Sequence, residues 1–146
     1  MVELEEYSFP DELYYTDRHL WVREDPDGRL TIGIDQLGQK LMGKVMFVRS
    51  PKEGAELTVG KIFGTCESMK WVERLTSPVS GIVKTVNTQL RAKPSTINLD
   101  PYGSGWIITV EPSERVAEEL SKLVTGPSIT GWARKEIEDR IKKGKK

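Results

Sequence analysis

Lys70, in the stretch Glu67-Ser68-Met69-Lys70-Trp71, is the residue of this chain that most suggests chemistry. The short alternating segments before and after it predict that this stretch forms the tip of a β-hairpin. Hairpin tips are usually polar and are built from Gly, Asn or Asp. A lysine with Met69 on one side and Trp71 on the other is therefore unusual at a tip. Lys70 is either an incidental surface residue or the functional group of the protein.

Other reactive side chains are few. The chain has one cysteine, Cys66, and one histidine, His19. These numbers exclude a disulfide framework and any metal site built from several Cys and His ligands, so we expect no metal. A Cys–His nucleophile pair is possible in principle but has no other support. Cys66 is better interpreted as a small core residue, and His19 as a structural or partner-facing residue.

The sequence does not predict an enzyme, because no combination of base, nucleophile and oxyanion donors can be found in it. Its 146 residues are enough for one domain with a real core, and 22 basic side chains balance 22 acidic ones. Such a balance predicts neither a nucleic-acid partner nor an anionic membrane. The N-terminus is acidic, and no apolar run approaches 18 residues, so we expect a soluble cytoplasmic protein.

Strands are predicted for the middle of the chain and helices for its end. Residues 19–34 form a predicted hairpin whose two strands flank the turn sequence DPDG. A short helix is predicted in residues 35–44, with Leu37, Leu41 and Met42 facing inward.

Two amphipathic helices and a basic tail are predicted at the C-terminus. The first helix covers residues 113–124 and has Ser113 as its predicted N-cap. The second follows Gly126-Pro127 and places Trp132, Ile137 and Ile141 at helical spacing. The tail KKGKK is interpreted as a solvated chain end.

An internal repeat relates residues 45–60 to residues 72–87 with an offset of 27. The two copies share Val, Ser, Pro, Gly, Thr and Val at matched positions. A strand-turn-strand unit of this length cannot bury its apolar face alone. The two copies are therefore expected to pack as the halves of a small sandwich or flattened barrel with quasi-twofold symmetry. Lys70 lies in the hairpin that joins them, which would hold it on a rigid scaffold.

The segment CESMKWVERLTSPVSGIVKTVN, residues 66–87, resembles the lipoyl-attachment segment of the glycine cleavage H protein family. Further similarity lies in HLWV, in TIGI and in INLDPYGSGWIITV, so the resemblance covers residues from about 12 to 124. It implies a mainly β fold, the lipoyl/biotinyl-type flattened β-barrel, with short helices of which two are C-terminal. We accordingly expect an H-protein-like carrier domain in residues 1–126, followed by an amphipathic helix and basic tail in residues 127–146.

By this resemblance Lys70 would carry lipoate in an amide bond, preceded by Glu67 and Ser68. A long lipoyl-lysine arm must reach several active sites in turn, so its anchor must protrude from a rigid body. The amide also removes the lysine charge, which makes Met69 and Trp71 suitable neighbours for an aliphatic arm. A biotin carrier would share the fold, but that family usually has Met on both sides of its lysine.

Several positions depart from the family pattern. An aminomethyl group on the arm is cationic and needs acidic or polar partners. The family usually has Glu where this chain has Leu20, often His where it has Leu41, and commonly Asp where it has Arg74. Lys44 and Arg49 also replace residues that are often acidic. This pattern suggests a neutral or anionic cargo.

The departures favour a divergent subgroup, the H-protein-like lipoate-binding proteins of sulfur oxidisers. The chain would then be a non-catalytic swinging-arm carrier of sulfur intermediates for heterodisulfide-reductase-like subunits. The alternative is the H protein of the glycine cleavage system, with glycine decarboxylase, aminomethyltransferase and dihydrolipoamide dehydrogenase as partners. Either carrier would need a lipoate ligase or lipoyl transferase. A third possibility is an unmodified binding module that keeps the scaffold.

Overall fold

Residues 1–142 are described by a computed structural model, and the last four residues of the predicted basic tail lie outside this range. The strands are β1 Val2–Leu4, β2 Tyr7–Phe9, β3 Tyr14–Tyr15, β4 Leu20–Glu24, β5 Leu30–Ile34, β6 Val45–Arg49, β7 Glu56–Leu57, β8 Ile62–Ser68, β9 Val72–Thr76, β10 Gly81–Val86 and β11 Ile108–Pro112. The helices are α1 Gln36–Met42, α2 Gln89–Ala92, α3 Thr96–Leu99, α4 Val116–Ser121 and α5 Ile129–Glu136. A 3₁₀ turn at Gly126–Ser128 precedes α5, and a π-helical segment, Ile137–Lys142, continues it.

Two antiparallel sheets form the body of the protein. The larger has the order β3-β4-β5-β11-β10-β7, and the smaller has the order β6-β8-β9. Apolar side chains from both sheets meet in one buried cluster, which includes Ile32 and Val110 from the larger sheet and Val45 and Leu75 from the smaller. Burial of each such side chain contributes roughly 1.5–3 kcal/mol. The predicted mainly β, flattened sandwich is confirmed.

The internal repeat corresponds to a symmetric placement of strands. Strand β6 of the first copy and β9 of the second lie on either side of β8. The later strand of each copy, β7 or β10, belongs to the larger sheet, where the two pair with each other. Each copy therefore passes from the small sheet to the large one, which gives the two halves predicted from the repeat.

Most of the local predictions for the N-terminal half are confirmed. Strands β4 and β5 pair in register around the DPDG turn, where the N–H of Gly28 donates to the carbonyl of Asp25 over 2.9 Å. Helix α1 begins because Asp35 accepts a hydrogen bond from the N–H of Gly38, and it ends at Gly43 with φ of 83°. Leu37 and Met42 are buried, whereas Leu41 is half-buried.

The first C-terminal helix is shorter than predicted. Ser113 accepts a hydrogen bond from the N–H of Arg115, and the N–H of Val116 donates to the carbonyl of Ser113. These bonds form a turn, and α4 begins only at Val116. The N-cap prediction for Ser113 is therefore wrong. Its hydroxyl accepts the N–H two residues later in the chain and so stabilises a turn that precedes the helix.

The second C-terminal helix packs on the N-terminal strands and not on the main sandwich core. We call Ile129–Lys142, that is α5 with its π-helical continuation, the C-terminal helix. Its buried residues Ile129, Ala133 and Ile137 belong to a second apolar cluster together with Phe9 and Tyr15. The division of the chain after residue 126 stays a prediction. Within residues 1–142 no helix is both long and apolar enough to cross a membrane.

Candidate functional site

The β8–β9 hairpin places Lys70 at its tip, as the sequence predicts. Glu67 pairs with Val72 at the end of the ladder, and the N–H of Ser68 donates to the carbonyl of Trp71 over 2.8 Å. Only Met69, Lys70 and Trp71 lie between the two strands. The tip is thus short and held by the ladder that leads into the small sheet.

The side chain of Lys70 is exposed and has no recorded ion-pair or hydrogen-bond partner among the described residues. Its Cε lies 3.5 Å from the position that a Cβ on Gly43 would occupy. The aliphatic stem therefore runs over the turn that ends α1. Met69 is 85% exposed and Trp71 58% exposed, so the lysine has apolar neighbours in water. An amine in this position is accessible to a modifying enzyme.

A cleft of about 820 Å³ begins beside the tip, between strand β9, helix α1 and the C-terminal helix. Trp71, next to Lys70, is part of its wall, and the indole N–H of Trp71 donates to a carboxylate oxygen of Glu73 over 2.9 Å. The lining residues are Asp17, Arg18, His19, Leu20, Ile34, Gly38, Leu41, Met42, Trp71, Glu73, Leu75, Asp139 and Arg140.

One part of the cleft lining is apolar. Leu20 is 1% exposed and Leu75 is also 1% exposed, and both contribute to the sandwich core as well as to the cleft. Leu41 is half-buried on the side of α1. The two leucines that depart from the family pattern therefore do lie in the cleft, where they provide a surface suited to an aliphatic chain.

The cleft also contains three carboxylates, from Asp17, Glu73 and Asp139. They come from the loop before β4, from β9 and from the C-terminal helix. Arg18 and Arg140 are the lining guanidinium groups, and Arg140 donates to Glu136 over 2.9 Å. Glu73 is the carboxylate next to Trp71, so the cleft presents an acidic group beside the hairpin tip.

Arg74, one of the residues behind the expectation of a neutral or anionic cargo, lies outside the cleft lining. Side chains alternate along β9, so Glu73 and Leu75 face the cleft while Arg74 lies on the opposite, exposed face. Lys44 and Arg49 are exposed and are also outside the cleft lining. The three basic substitutions therefore do not set the charge of the cleft.

His19 is a buried residue of the cleft lining that lies between two carboxylates. Its Nδ1 lies 2.8 Å from Oδ2 of Asp35, and its Nε2 lies 2.7 Å from Oε1 of Glu136. Burial lowers the pKa of His19, but Asp35 and Glu136 outweigh it, so that the pKa is raised above the ordinary value of 6.5. His19 is structural, one of the two roles expected for it.

Cys66 is fully buried in the sandwich core, as expected. Burial and the nearby Glu73 and Glu67 raise the pKa of its thiol to about 12, so the thiol stays protonated and unreactive. Because both ring nitrogens of His19 face carboxylates, Cys66 and His19 do not form a nucleophile pair.

The remaining residues predicted around the anchor are divided between the two sides of the small sheet. Trp71 faces the cleft, Met69 is in solvent, and Glu67 pairs across the outer face with Val72 and Phe47. Sequence reasoning missed five charged residues of the cleft, Asp17, Arg18, Glu73, Asp139 and Arg140. Alternation from the core residue Leu75 could have identified Glu73, but no local pattern indicates the other four.

Comparisons with known proteins point to one family. A family model described as "Glycine cleavage H-protein" matches residues 13–136. The chain is 46% identical over 112 residues to the glycine cleavage system H protein of Mycobacterium avium, covering 77% of this chain and 85% of that protein. It is 45% identical over 114 residues to the H protein of Salinibacter ruber, covering 76% and 90%.

A solved structure gives the same result. The crystal structure of a glycine cleavage system H protein from Mycobacterium marinum superposes with a TM-score of 0.76 at 32% identity. The match covers 86% of this chain and 98% of that one.

Proposed function

The chain belongs to the glycine cleavage H-protein family, and on that premise we propose that it is the H protein of a glycine cleavage system. It would shuttle the aminomethyl group between glycine decarboxylase and aminomethyltransferase. Members of the family are non-catalytic carriers with lipoate covalently attached to a lysine. When bound, the lipoyl group supplies a dithiolane that opens to a dithiol and holds the cargo through sulfur.

The attachment residue in this proposal is Lys70. It is exposed, it occupies the tip of a hairpin joined to a rigid sheet, and its stem already runs over Gly43 beside the cleft. The modifying enzyme, a lipoate ligase or lipoyl transferase, would recognise Glu67 and Ser68. Met69 and Trp71 would contact the aliphatic part of the arm. Lys84 and Lys93, also exposed, lie away from any hairpin tip.

The observation that carries the choice of cargo is the carboxylate of Glu73 on the cleft wall beside Lys70. An aminomethyl cargo is cationic at neutral pH, and Glu73 and Asp17 offer it carboxylates while Leu20 and Leu41 offer the arm an apolar surface. Carboxylates strengthen hydrogen bonds with a cation and offset its desolvation.

The sulfur-oxidation role gains no support from this site or from the comparisons. One part of its physical argument placed Arg74 in the cleft, where Glu73 is found instead. The relatives described above are glycine cleavage system H proteins. We therefore propose glycine decarboxylase, aminomethyltransferase and dihydrolipoamide dehydrogenase as partners, and the cytoplasm as the location.

Modification can be tested by intact-mass analysis of the protein co-expressed with a lipoate ligase. We expect one lipoyl adduct on the wild type and on the control Lys84→Arg, and none on Lys70→Arg. Arginine keeps the charge and length of the side chain but cannot form the amide. An adduct that persists in Lys70→Arg would exclude Lys70 as the anchor.

The cargo can be tested with the lipoylated protein and purified glycine decarboxylase. Glycine-dependent exchange of labelled bicarbonate into glycine reports loading of the arm. We expect exchange with the wild type, and several-fold faster loss of the cargo to water in Glu73→Gln than in the control Glu114→Gln, because Glu114 is exposed and outside the cleft lining. A lipoylated wild type that supports no exchange would contradict the glycine cleavage role.

A further inference from the structure

The pair of carboxylates around His19 determines its protonation state. A neutral imidazole has one N–H and can donate to one carboxylate only, which would leave the other nitrogen lone pair facing a carboxylate oxygen. In this structure both nitrogens lie within 2.8 Å of carboxylate oxygens, from Asp35 and Glu136. Since ionised carboxylates only accept hydrogen bonds, the arrangement is that of an imidazolium donating twice.

The position of His19 is held tightly by its surroundings. The residue is 3% exposed and its backbone φ is 65°, in the left-handed region that few residues other than glycine occupy. A Cβ added to Gly38 of α1 would come within 2.8 Å of the Cβ of His19. Strained residues of this kind persist only where the structure around them requires their conformation.

His19 joins two elements that are distant in sequence. Asp35 is the N-cap of α1, and Glu136 is on the C-terminal helix, 117 residues after His19. The same helix is tied to this region through Trp132, whose indole N–H donates to Asp17 over 3.0 Å and whose ring packs on His19 with 5.3 Å between centroids. Beyond Glu136, the helix contributes Asp139 and Arg140 to the cleft.

We propose that His19 is a positioning residue for the cleft: as an imidazolium it ties the C-terminal helix to the start of α1 and so holds the helical wall of the cleft in place. Deprotonation removes one of the two charge-assisted hydrogen bonds and leaves the buried carboxylate of Asp35 and the partly buried one of Glu136 facing a neutral ring. The helix then loosens, and the cleft opens on that side. The consequence for cargo rests on the function proposed above, whereas the tie between the helix and α1 does not.

Within residues 1–142, the charged groups around His19 come from three elements. Asp35 comes from the N-terminus of α1, Glu136 and Arg140 come from the C-terminal helix, and Asp17 and Arg18 precede His19 in its own loop. Glu73 and Asp139 share the cleft lining. With His19 protonated, the inner set of His19, Arg140, Asp35 and Glu136 is neutral. With His19 neutral, this set carries a net negative charge, which favours keeping the proton.

The direct test is an NMR titration of the lipoylated full-length wild type, in which the single histidine gives an unambiguous ring signal. We expect a His19 midpoint above 6.5, and amide-exchange protection factors of residues 129–142 that fall across the same pH range. Protection of the β8–β9 hairpin should not follow this midpoint. A midpoint at or below 6.5, or helix protection that is independent of it, would overturn the proposal.

Two variants sharpen the test. Glu136→Gln removes one carboxylate while keeping the side-chain shape, and it should lower the His19 midpoint and the helix protection at neutral pH. Glu138→Gln makes the same charge change on an exposed position of the same helix and should alter neither. If both variants behave alike, the tie does not act through Glu136.

Measuring the loss of cargo tests the positioning role of His19 separately from the proposed glycine cleavage function. In protein loaded by glycine decarboxylase, the cargo should be lost several-fold faster in Glu136→Gln than in Glu138→Gln. If none of the proteins can be loaded, the proposed function fails, and the titration still decides whether His19 positions the helix. If loading succeeds and the two variants lose cargo equally fast, the positioning role fails.

Discussion

Two regions border the same cleft and have opposite character. The hairpin tip with Lys70 is exposed and makes few contacts, whereas the region around His19 is buried and joined by charge-assisted hydrogen bonds to two other elements. The Lys70 side chain must be accessible to other enzymes, so exposure suits it. The helical wall of the cleft must stay in one position, and burial and several hydrogen-bond partners at His19 stabilise that position. The difference predicts that changes at the tip affect modification, while changes near His19 affect stability.

The largest effect on stability is expected from His19→Ala. The change leaves Asp35, which is fully buried, and Glu136 without their common partner. Removing one member of a buried ionic network typically costs about 3–5 kcal/mol of the free energy of unfolding. Urea denaturation monitored by circular dichroism can measure this loss. A loss below about 1 kcal/mol would show that the network around His19 is not a stabilising one.

A smaller loss is expected from Gly38→Ala, which inserts a methyl group where α1 packs on His19. The new Cβ would lie 2.8 Å from the Cβ of His19 and 2.9 Å from Cγ2 of Ile34, so either α1 or His19 must move. Overpacking of this kind costs about 1–3 kcal/mol.

Gly131→Ala is the matched control, because nothing lies within 4 Å of its new Cβ in α5. There the helix propensity of alanine should stabilise the protein by up to about 1 kcal/mol. Equal effects from the two glycine substitutions in thermal unfolding would mean that the approach of α1 to His19 has no special importance.

Raising the pH should lower the free energy of unfolding by less than His19→Ala or Gly38→Ala does. Deprotonation removes the charge of His19 but leaves its ring in place. The pKa of His19 is raised in the folded state, so its contribution to stability is complete below the ordinary value of 6.5 and is lost as pH rises through the folded pKa. His19→Asn tolerates the left-handed backbone but cannot bridge the carboxylates. The difference in unfolding free energy between wild type and His19→Asn should therefore shrink with rising pH. A difference that grows in alkali would contradict the charged state of His19.

The smallest effect belongs to the tip. Lys70→Ala removes an exposed side chain with no recorded polar partner, so the free energy of unfolding should change by no more than about 0.5 kcal/mol. Thermal unfolding of the unmodified protein is the measurement. A large loss would make Lys70 a structural residue and would weaken the case for it as the attachment site.

Much of the fold was predictable because it depends on local patterns. The alternation in β4 and β5, the DPDG turn and the repeat of residues 45–60 in residues 72–87 each specify strands and turns over a few residues. The hairpin tip at Lys70 follows from the same alternation. The late start of α4 was not predictable from Ser113 alone, because its hydroxyl can serve a turn as well as a helix cap.

Local patterns in the chain thus specify the sandwich, its two related halves and the lysine at the tip of its central hairpin. The placement of the cleft carboxylates and the contacts of His19 depend instead on long-range packing. Asp17, Glu73 and Asp139 come from distant parts of the chain, and so do His19, Asp35 and Glu136. Periodicity indicates which side of a strand or helix is buried, but not which elements meet there. Arg74 is an example. It follows Glu73 on β9, and because neighbouring side chains of a strand point to opposite faces, Glu73 lies in the cleft and Arg74 does not.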